Sequence, residues 1–342
     1  MSGSLILSIV TFIYGLAGFL YICAWIFRKQ IFGKIATWVV LVGLSGNTAG
    51  ILLRWVESYQ LGIGHAPFSN LYESLVFFAW VIVLIYLIIE RKIQNRIIGA
   101  FTIPIACLVM AYASLKPGIT SAIQPLIPAL KSNWLIAHVI TCFIGYAAFA
   151  LAFGVSAMYL MKKGRDDEPI TWTKIVNPVI LFVFTALFSR VLFISNWLVA
   201  TLIAIPICLG FYAIVFLVRN LPAESKAKLL ERFPDTRILD ELGYQLILLG
   251  FLFLSIGIIT GAVWANSAWG RYWGWDPKET WSLTTWFVYA TLLHARLMRG
   301  WHGKRIAFLS MIGFAAVLFT YFGVNLLPGL HLSLIHISEP TR

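Results

Sequence analysis

The side chains in this sequence best suited to chemistry are indoles and imidazoles. Trp264, Trp269, Trp273, Trp275, Trp281 and Trp286 fall with Tyr272 in one short stretch. Tryptophan and tyrosine gather at the headgroup level of any membrane protein, which accounts for one or two of these residues but not for six. Indoles concentrated in an ordered loop build a broad, flat, amphipathic surface, a better match for a planar aromatic ligand than for an ion or a sugar. Asp276-Pro277-Lys278-Glu279 inside this stretch has helix-start chemistry, with Asp276 as N-cap, Pro277 as first helical residue and Glu279 as capping-box partner. These carboxylates are expected to hold the loop in shape, and no acid–base role is assigned to them. Six histidines complete the set, and neutral imidazoles on opposite faces of an iron macrocycle are a standard axial pair.

The elements that must position these groups follow from composition. Of 342 residues, 60% are hydrophobic and 12% charged, against roughly 45–50% and 25% in a soluble domain. Too little polar surface exists to coat a water-soluble globule, so the chain is read as a membrane protein. Runs of roughly 20 apolar residues, the length of a membrane-spanning helix, occur at 5–27, 35–56, 71–89, 97–112, 134–161, 175–193, 197–218, 242–264, 282–297 and 306–327. The fold class expected is therefore all-α, a polytopic transmembrane bundle of about ten spans forming one domain over 1–332, with a Trp-rich loop at 264–286.

The formal net charge of +12 could point to nucleic acid, anionic lipid or topology. Lysine and arginine concentrate in alternate loops, at 28–34, 91–96, 162–174, 219–237 and 296–305. They punctuate helices and form no stripe, so no nucleic-acid partner is expected. The positive-inside rule places these loops in the cytoplasm and both termini outside. The stretch 219–240 is charged and amphipathic and is expected to form a short interfacial helix. The first span is followed by Arg28 and Lys29 and reads as retained, whereas the polar tail 333–342 reads as appended, non-native sequence. Cys23, Cys107, Cys142 and Cys208 are isolated in apolar runs and read as packing; the chain has neither a CxxC pair nor a CxxCH motif.

On this topology, His138 lies one turn inside the outer end of the fifth span and His331 follows the last span on the same side. Two imidazoles flanking an aromatic platform on one membrane face suit an axial pair. His294 differs, because it lies within the ninth span, where an ionisable group defaults to a functional hypothesis. No other histidine of the chain sits at its depth, so a partner imidazole would come from another subunit. His65 lies in the first outer loop, and His302 and His336 read as solvated.

The run Trp269-Gly270-Arg271-Tyr272-Trp273-Gly274-Trp275-Asp276-Pro277-Lys278-Glu279-Thr280-Trp281 resembles the WWD signature of haem-handling membrane proteins. Ser69–Ser74, Ser132–His138, Leu293–Arg296 and Phe322–His331 are similar to the corresponding stretches of the CcsA/ResC family, the integral membrane subunit of the system II cytochrome c synthase. The resemblance runs from about residue 35 to 331. It implies that haem b is bound non-covalently as a transported substrate, with His138 and His331 as outer axial ligands and His294 as a transmembrane haem ligand. Trp269, Tyr272, Trp273, Trp275, Asp276 and Trp281 would form the haem-binding surface. It further implies export of haem and its attachment to the CxxCH thiols of apocytochrome c as part of a cytochrome c haem lyase. The site would face outward from the bacterial cytoplasmic (inner) membrane. The partners implied are a CcsB/ResB-like subunit, apocytochrome c and thiol-reducing proteins. Arg54, Arg190, Arg271 and Lys278 are candidate partners for the haem propionates. Two rivals are a system I type protein that hands haem to a chaperone and a secondary transporter of a small solute. The transporter would show internal repeats and Gly/Pro-broken helices, and Pro104, Pro178 and Pro206 are scattered without a repeat.

Overall fold

Apolar runs separated by short polar turns fold as helices wherever the chain is described. The computed structural model describes residues 2–116, 118–126, 130–163 and 223–326. Among them are helices α1 (Gly3–Phe27), α2 (Gln30–Gln60), α3 (Leu71–Ile93), α4 (Ile98–Leu115), α5 (Asn133–Lys163), α6 (Ala223–Leu230), α7 (Thr236–Trp269), α8 (Pro277–Arg299) and α9 (Lys304–Tyr321), then a 3₁₀ turn, Gly323–Leu326. The described residues contain no strand. Seven of these helices (α1 to α5, α7 and α9) are long and apolar enough to cross a membrane. The expected spans 175–193 and 197–218 lie outside the described residues, as do Arg190, Cys208, His331, His336 and the tail 333–342. α8 coincides with the expected span 282–297 but is more polar, because its first turns carry Lys278, Glu279, Thr280, Ser282, Thr284 and Thr285.

The chain divides into two compact units, Met1–Leu160 with Pro234–Arg342, and Met161–Phe233. Within the smaller unit, α6 is the short charged helix expected in the 219–240 loop. It carries a Lys228–Glu224 pair, and Lys162 donates to the Phe233 carbonyl. All that follows concerns the larger unit.

α5 is the central helix of that unit. Residues from Gly145 to Ala152 are buried in succession, so it is covered on every side rather than along one stripe. One face meets α3 and α9 through aromatic edges, with Phe143 against Phe78, Phe77 and Tyr321. The other face meets α7 at glycines, where a Cβ on Gly145 would lie 3.0 Å from the Gly250 carbonyl and one on Gly250 would lie 2.5 Å from Phe149. Two helix backbones can approach that closely only where side chains are missing.

The helices run between two ends, one carrying the tryptophans and the other the basic turns. At the basic end, the Glu90 carboxylate accepts from Thr37, Tyr21, Tyr86 and Arg96. There too Arg296 pairs with Asp240 at 2.8 Å and lies over the Tyr244 ring. At the tryptophan end, Asn70 caps α3 by accepting from the Glu73 amide, and the Glu73 carboxylate accepts from the amide and the hydroxyl of Ser69. The other Glu73 oxygen pairs with Arg54 at 2.8 Å, with side chains 1% and 2% exposed. A second Arg54 nitrogen donates to the Ser121 carbonyl, tying down the α4–α5 loop. Removing one member of a buried pair leaves an uncompensated charge, which costs about 3–5 kcal/mol. Glu73→Ala is therefore expected to lower the unfolding temperature in detergent sharply, with Glu73→Gln intermediate. A melting temperature within 1–2 °C of wild type, the scale of roughly 1 kcal/mol in a chain of this size, would contradict this role.

Candidate functional site

α7 contains no proline, so despite its internal glycines it continues through Trp264 to Trp269 and stops where Gly270 takes a left-handed φ of 73°. α8 begins at Pro277. The loop expected at 264–286 is therefore only residues 270–276, and the six tryptophans do not share one loop. They sort into three groups by the element that carries them.

The first group adjoins His138. Its ring lies near-parallel to Trp264 (17°, centroids 6.3 Å apart), and Trp264 meets Trp269 edge to face at 4.8 Å. The second is the loop itself, where Trp273 and Trp275 meet edge to face at 5.9 Å. Trp275 is 70% and Tyr272 60% exposed. Trp275 also has a φ of 56°, a conformation that costs a non-glycine residue roughly 1–2 kcal/mol. One atom offsets that cost, because Glu279 Oε2 accepts from the amides of Gly274 (2.7 Å) and Asp276 (3.2 Å), on either side of Trp275. Asp276 completes the capping box by accepting from the helix start. The third group packs helices. Trp281 lies against Phe319 of α9 at 4.2 Å, and Trp286 donates to Ser255 of α7.

His138 has the geometry of a prepared ligand. Its Nδ1 lies 2.7 Å from the Gly257 carbonyl. A carbonyl can only accept, so Nδ1 carries the proton and Nε2 keeps its lone pair. Among the described residues nothing hydrogen-bonds that Nε2, and the ring is only half-buried. Cys142, one turn along α5, brings its sulfur to 3.6 Å from Nδ1. Lys278 of α8 stands close enough for its charge to act on both His138 and Cys142.

The other histidines fall elsewhere. His65 is buried, with Nδ1 2.9 Å from the Ala66 carbonyl and Nε2 3.1 Å from the Gln124 carbonyl; the neutral ring donates to one of the two, and both nitrogens face backbone. His302 is exposed, its Nδ1 on the Gly300 carbonyl. His294 points away from the packed face of α8, exposed between buried Leu293 and Ala295. His138 sits at the level of Gly257, and Ser255, two residues away on α7, takes a bond from Trp286 of α8; from Trp286 to His294 is a further eight residues, about 12 Å along the helix, so His294 and His138 do not meet. Of the cations proposed for propionates, Arg54 is committed to Glu73 and Arg271 is exposed beside Gly274. Arg190 lies outside the described residues; of the other three, Lys278 is the one whose charge acts on His138. Sequence reasoning missed the seat of His138 on α7. Gly257, Gly261 and Trp264 follow helical spacing on one face of α7, a pattern that marks a surface for close approach without saying what approaches.

Comparison with known proteins adds three findings. The family described as Cytochrome C assembly protein matches residues 68–331. Curated relatives named "Cytochrome c biogenesis protein CcsA" include one from Gloeobacter violaceus, 38% identical over 317 residues (91% of this chain, 90% of the relative). Others come from Nostoc sp., 40% identical over 310 residues (81% and 82%), and Pyropia yezoensis, 39% identical over 301 residues (87% and 86%). Among solved structures, one titled "Cytochrome c Heme Lyase CcmF" shares the fold with a TM-score of 0.60 at 15% identity, over 98% of this chain and 49% of that one.

Proposed function

This chain belongs to the Cytochrome C assembly protein family, and from that premise we propose that it is the haem-handling membrane subunit of the system II cytochrome c synthase. In this reading it carries haem b across the bacterial cytoplasmic membrane and presents it to apocytochrome c at the tryptophan end of the bundle. The observation that carries the proposal is His138, a half-buried imidazole whose Nδ1 is consumed by a backbone carbonyl and whose Nε2 is left open beside a stack of indoles. Metal-bound histidines characteristically donate their second nitrogen in this way. The identity of 38–40% to proteins named CcsA over most of both chains favours system II over the system I alternative.

Haem is the substrate here. His138 Nε2 takes one face of the iron, and His331, outside the described residues, takes the other. Trp264, Trp269, Trp273, Trp275 and Tyr272 form the surface for the macrocycle, Asp276 and Trp281 anchor it at the start of α8, and Lys278 meets a propionate. Attachment adds a cysteine S–H across a vinyl C=C. The sulfur bonds one carbon, the proton goes to the other, no group leaves and no net electrons move. The protein therefore has to supply proximity and orientation, while both CxxCH thiols must arrive reduced, which calls for thiol-reducing partners. The alternation of basic loops supports an orientation with the tryptophan end, and both termini, outside the membrane.

His294, exposed on α8 at a distance from this surface, serves an earlier stage as a transmembrane ligand completed by a histidine of a CcsB/ResB-like subunit. Cells lacking this chain, supplied with it and its partner, are expected to regain cytochrome c with covalently bound haem on stained gels; maturation that persists without the chain would sink the proposal. With His294→Ala, we expect loss of both mature cytochrome c and haem at the tryptophan end. Normal maturation in that variant would remove His294 from the path.

A further inference from the structure

The seat of His138 is made from the backbone of α7. The imidazole lies on α7 between the Gly257 carbonyl, 2.7 Å from Nδ1, and Trp264, which stacks on it. The space it fills is the space a side chain on Gly261 would need, since a Cβ there would fall 2.6 Å from Nδ1 and 2.8 Å from Cε1. A Cβ on Gly257 would likewise fall 2.5 Å from the sulfur of Cys142, which holds the turn of α5 behind the ring. We infer that Gly257 and Gly261 are positioning residues for iron ligation: the Gly257 carbonyl selects the tautomer that presents Nε2, and the bare Gly261 leaves room for the ring to reach it. This rests on the reading of His138 as a haem ligand. A backbone carbonyl, unlike a carboxylate, adds no negative charge, so the ligand stays a neutral imidazole of ordinary donor strength.

Two experiments on the full chain, purified with its haem, test the inference. Gly261→Ala should convert low-spin, six-coordinate haem to the high-spin or five-coordinate form expected of His138→Ala, with free imidazole restoring His138→Ala, whose seat is vacant, and not Gly261→Ala, whose methyl takes up the space of the ring. Gly250→Ala, as crowded against Phe149 as Gly261 is against His138, should leave the iron low-spin even if it loosens the helix pair. Where the Gly261 variant fails to accumulate, His138→Gly carries the test. Imidazole can donate to the Gly257 carbonyl and 1-methylimidazole cannot, so the methylated ligand should need roughly 10-fold or more higher concentration to restore the low-spin spectrum, normalised to free haem in the same detergent. Equal rescue by the two ligands, or a Gly261→Ala protein with a wild-type spectrum, overturns the inference while leaving His138 a ligand. A His138→Ala protein with an unchanged spectrum would remove the ligand reading and this inference together.

Discussion

Replacing His138 by alanine is expected to abolish low-spin haem at the tryptophan end and to reduce cytochrome c maturation by more than about 100-fold. The size follows from coordination chemistry, in which losing only an outer-shell partner typically costs 10–100-fold in metal affinity, so losing the ligand itself should exceed that range. The deleted imidazole leaves a space bounded by Gly257, Gly261 and Trp264. Added imidazole has somewhere to bind and should restore the six-coordinate spectrum. His65→Ala is the matched control. Both nitrogens of His65 face backbone carbonyls, of Ala66 and Gln124, so its loss should loosen the loops and leave the iron's coordination unchanged. If the two variants were spectrally alike, the geometry of His138 would have no special meaning.

Glu279→Ala is expected to have the next largest effect, through the loop and not through the iron. One carboxylate oxygen holds the amides on both sides of Trp275. Two hydrogen bonds to a charged acceptor at a half-buried site are worth about 2–4 kcal/mol together, against roughly 1–2 kcal/mol for keeping Trp275 at positive φ. Without Glu279 the balance reverses and the capping box at Asp276 is also lost. Trp273 and Trp275 should then become more accessible to an aqueous fluorescence quencher, and haem recovered with the protein should fall by about 10-fold, on the scale of 1.4 kcal/mol per decade. Glu279→Gln keeps an acceptor oxygen at the same place and should retain most of both properties. Equal losses in the Ala and Gln variants would mean that the carboxylate's charge, and not its hold on the loop, is what matters.

Features governed by neighbouring residues are legible in the amino-acid sequence. Apolar run length locates every described span, and Asp276-Pro277-Lys278-Glu279 announces the cap that α8 has. What cannot be read there depends on contacts between distant residues. His138 and Gly257 are 119 positions apart, and nothing local in α5 says that a carbonyl of α7 will fix its tautomer. The tryptophan stretch reads as one surface because proximity in sequence hides helix faces. Trp264 turns toward His138 while Trp286, on the next helix, turns toward Ser255. Arg54 reads as available for a propionate, yet Glu73, across the α2–α3 turn, claims it at 2.8 Å. The glycines of α7 illustrate the same limit, because small residues at helical spacing indicate close approach but not the group that approaches.

The most direct test of this account is the visible absorption spectrum of the purified wild-type chain, expressed with abundant haem and reduced with dithionite. Sharp, split low-spin bands that broaden toward a high-spin form in His138→Ala and return with imidazole are the expected result. Colourless protein, or haem whose spectrum ignores the loss of His138, would contradict the claim that an open imidazole nitrogen beside the indoles holds the iron.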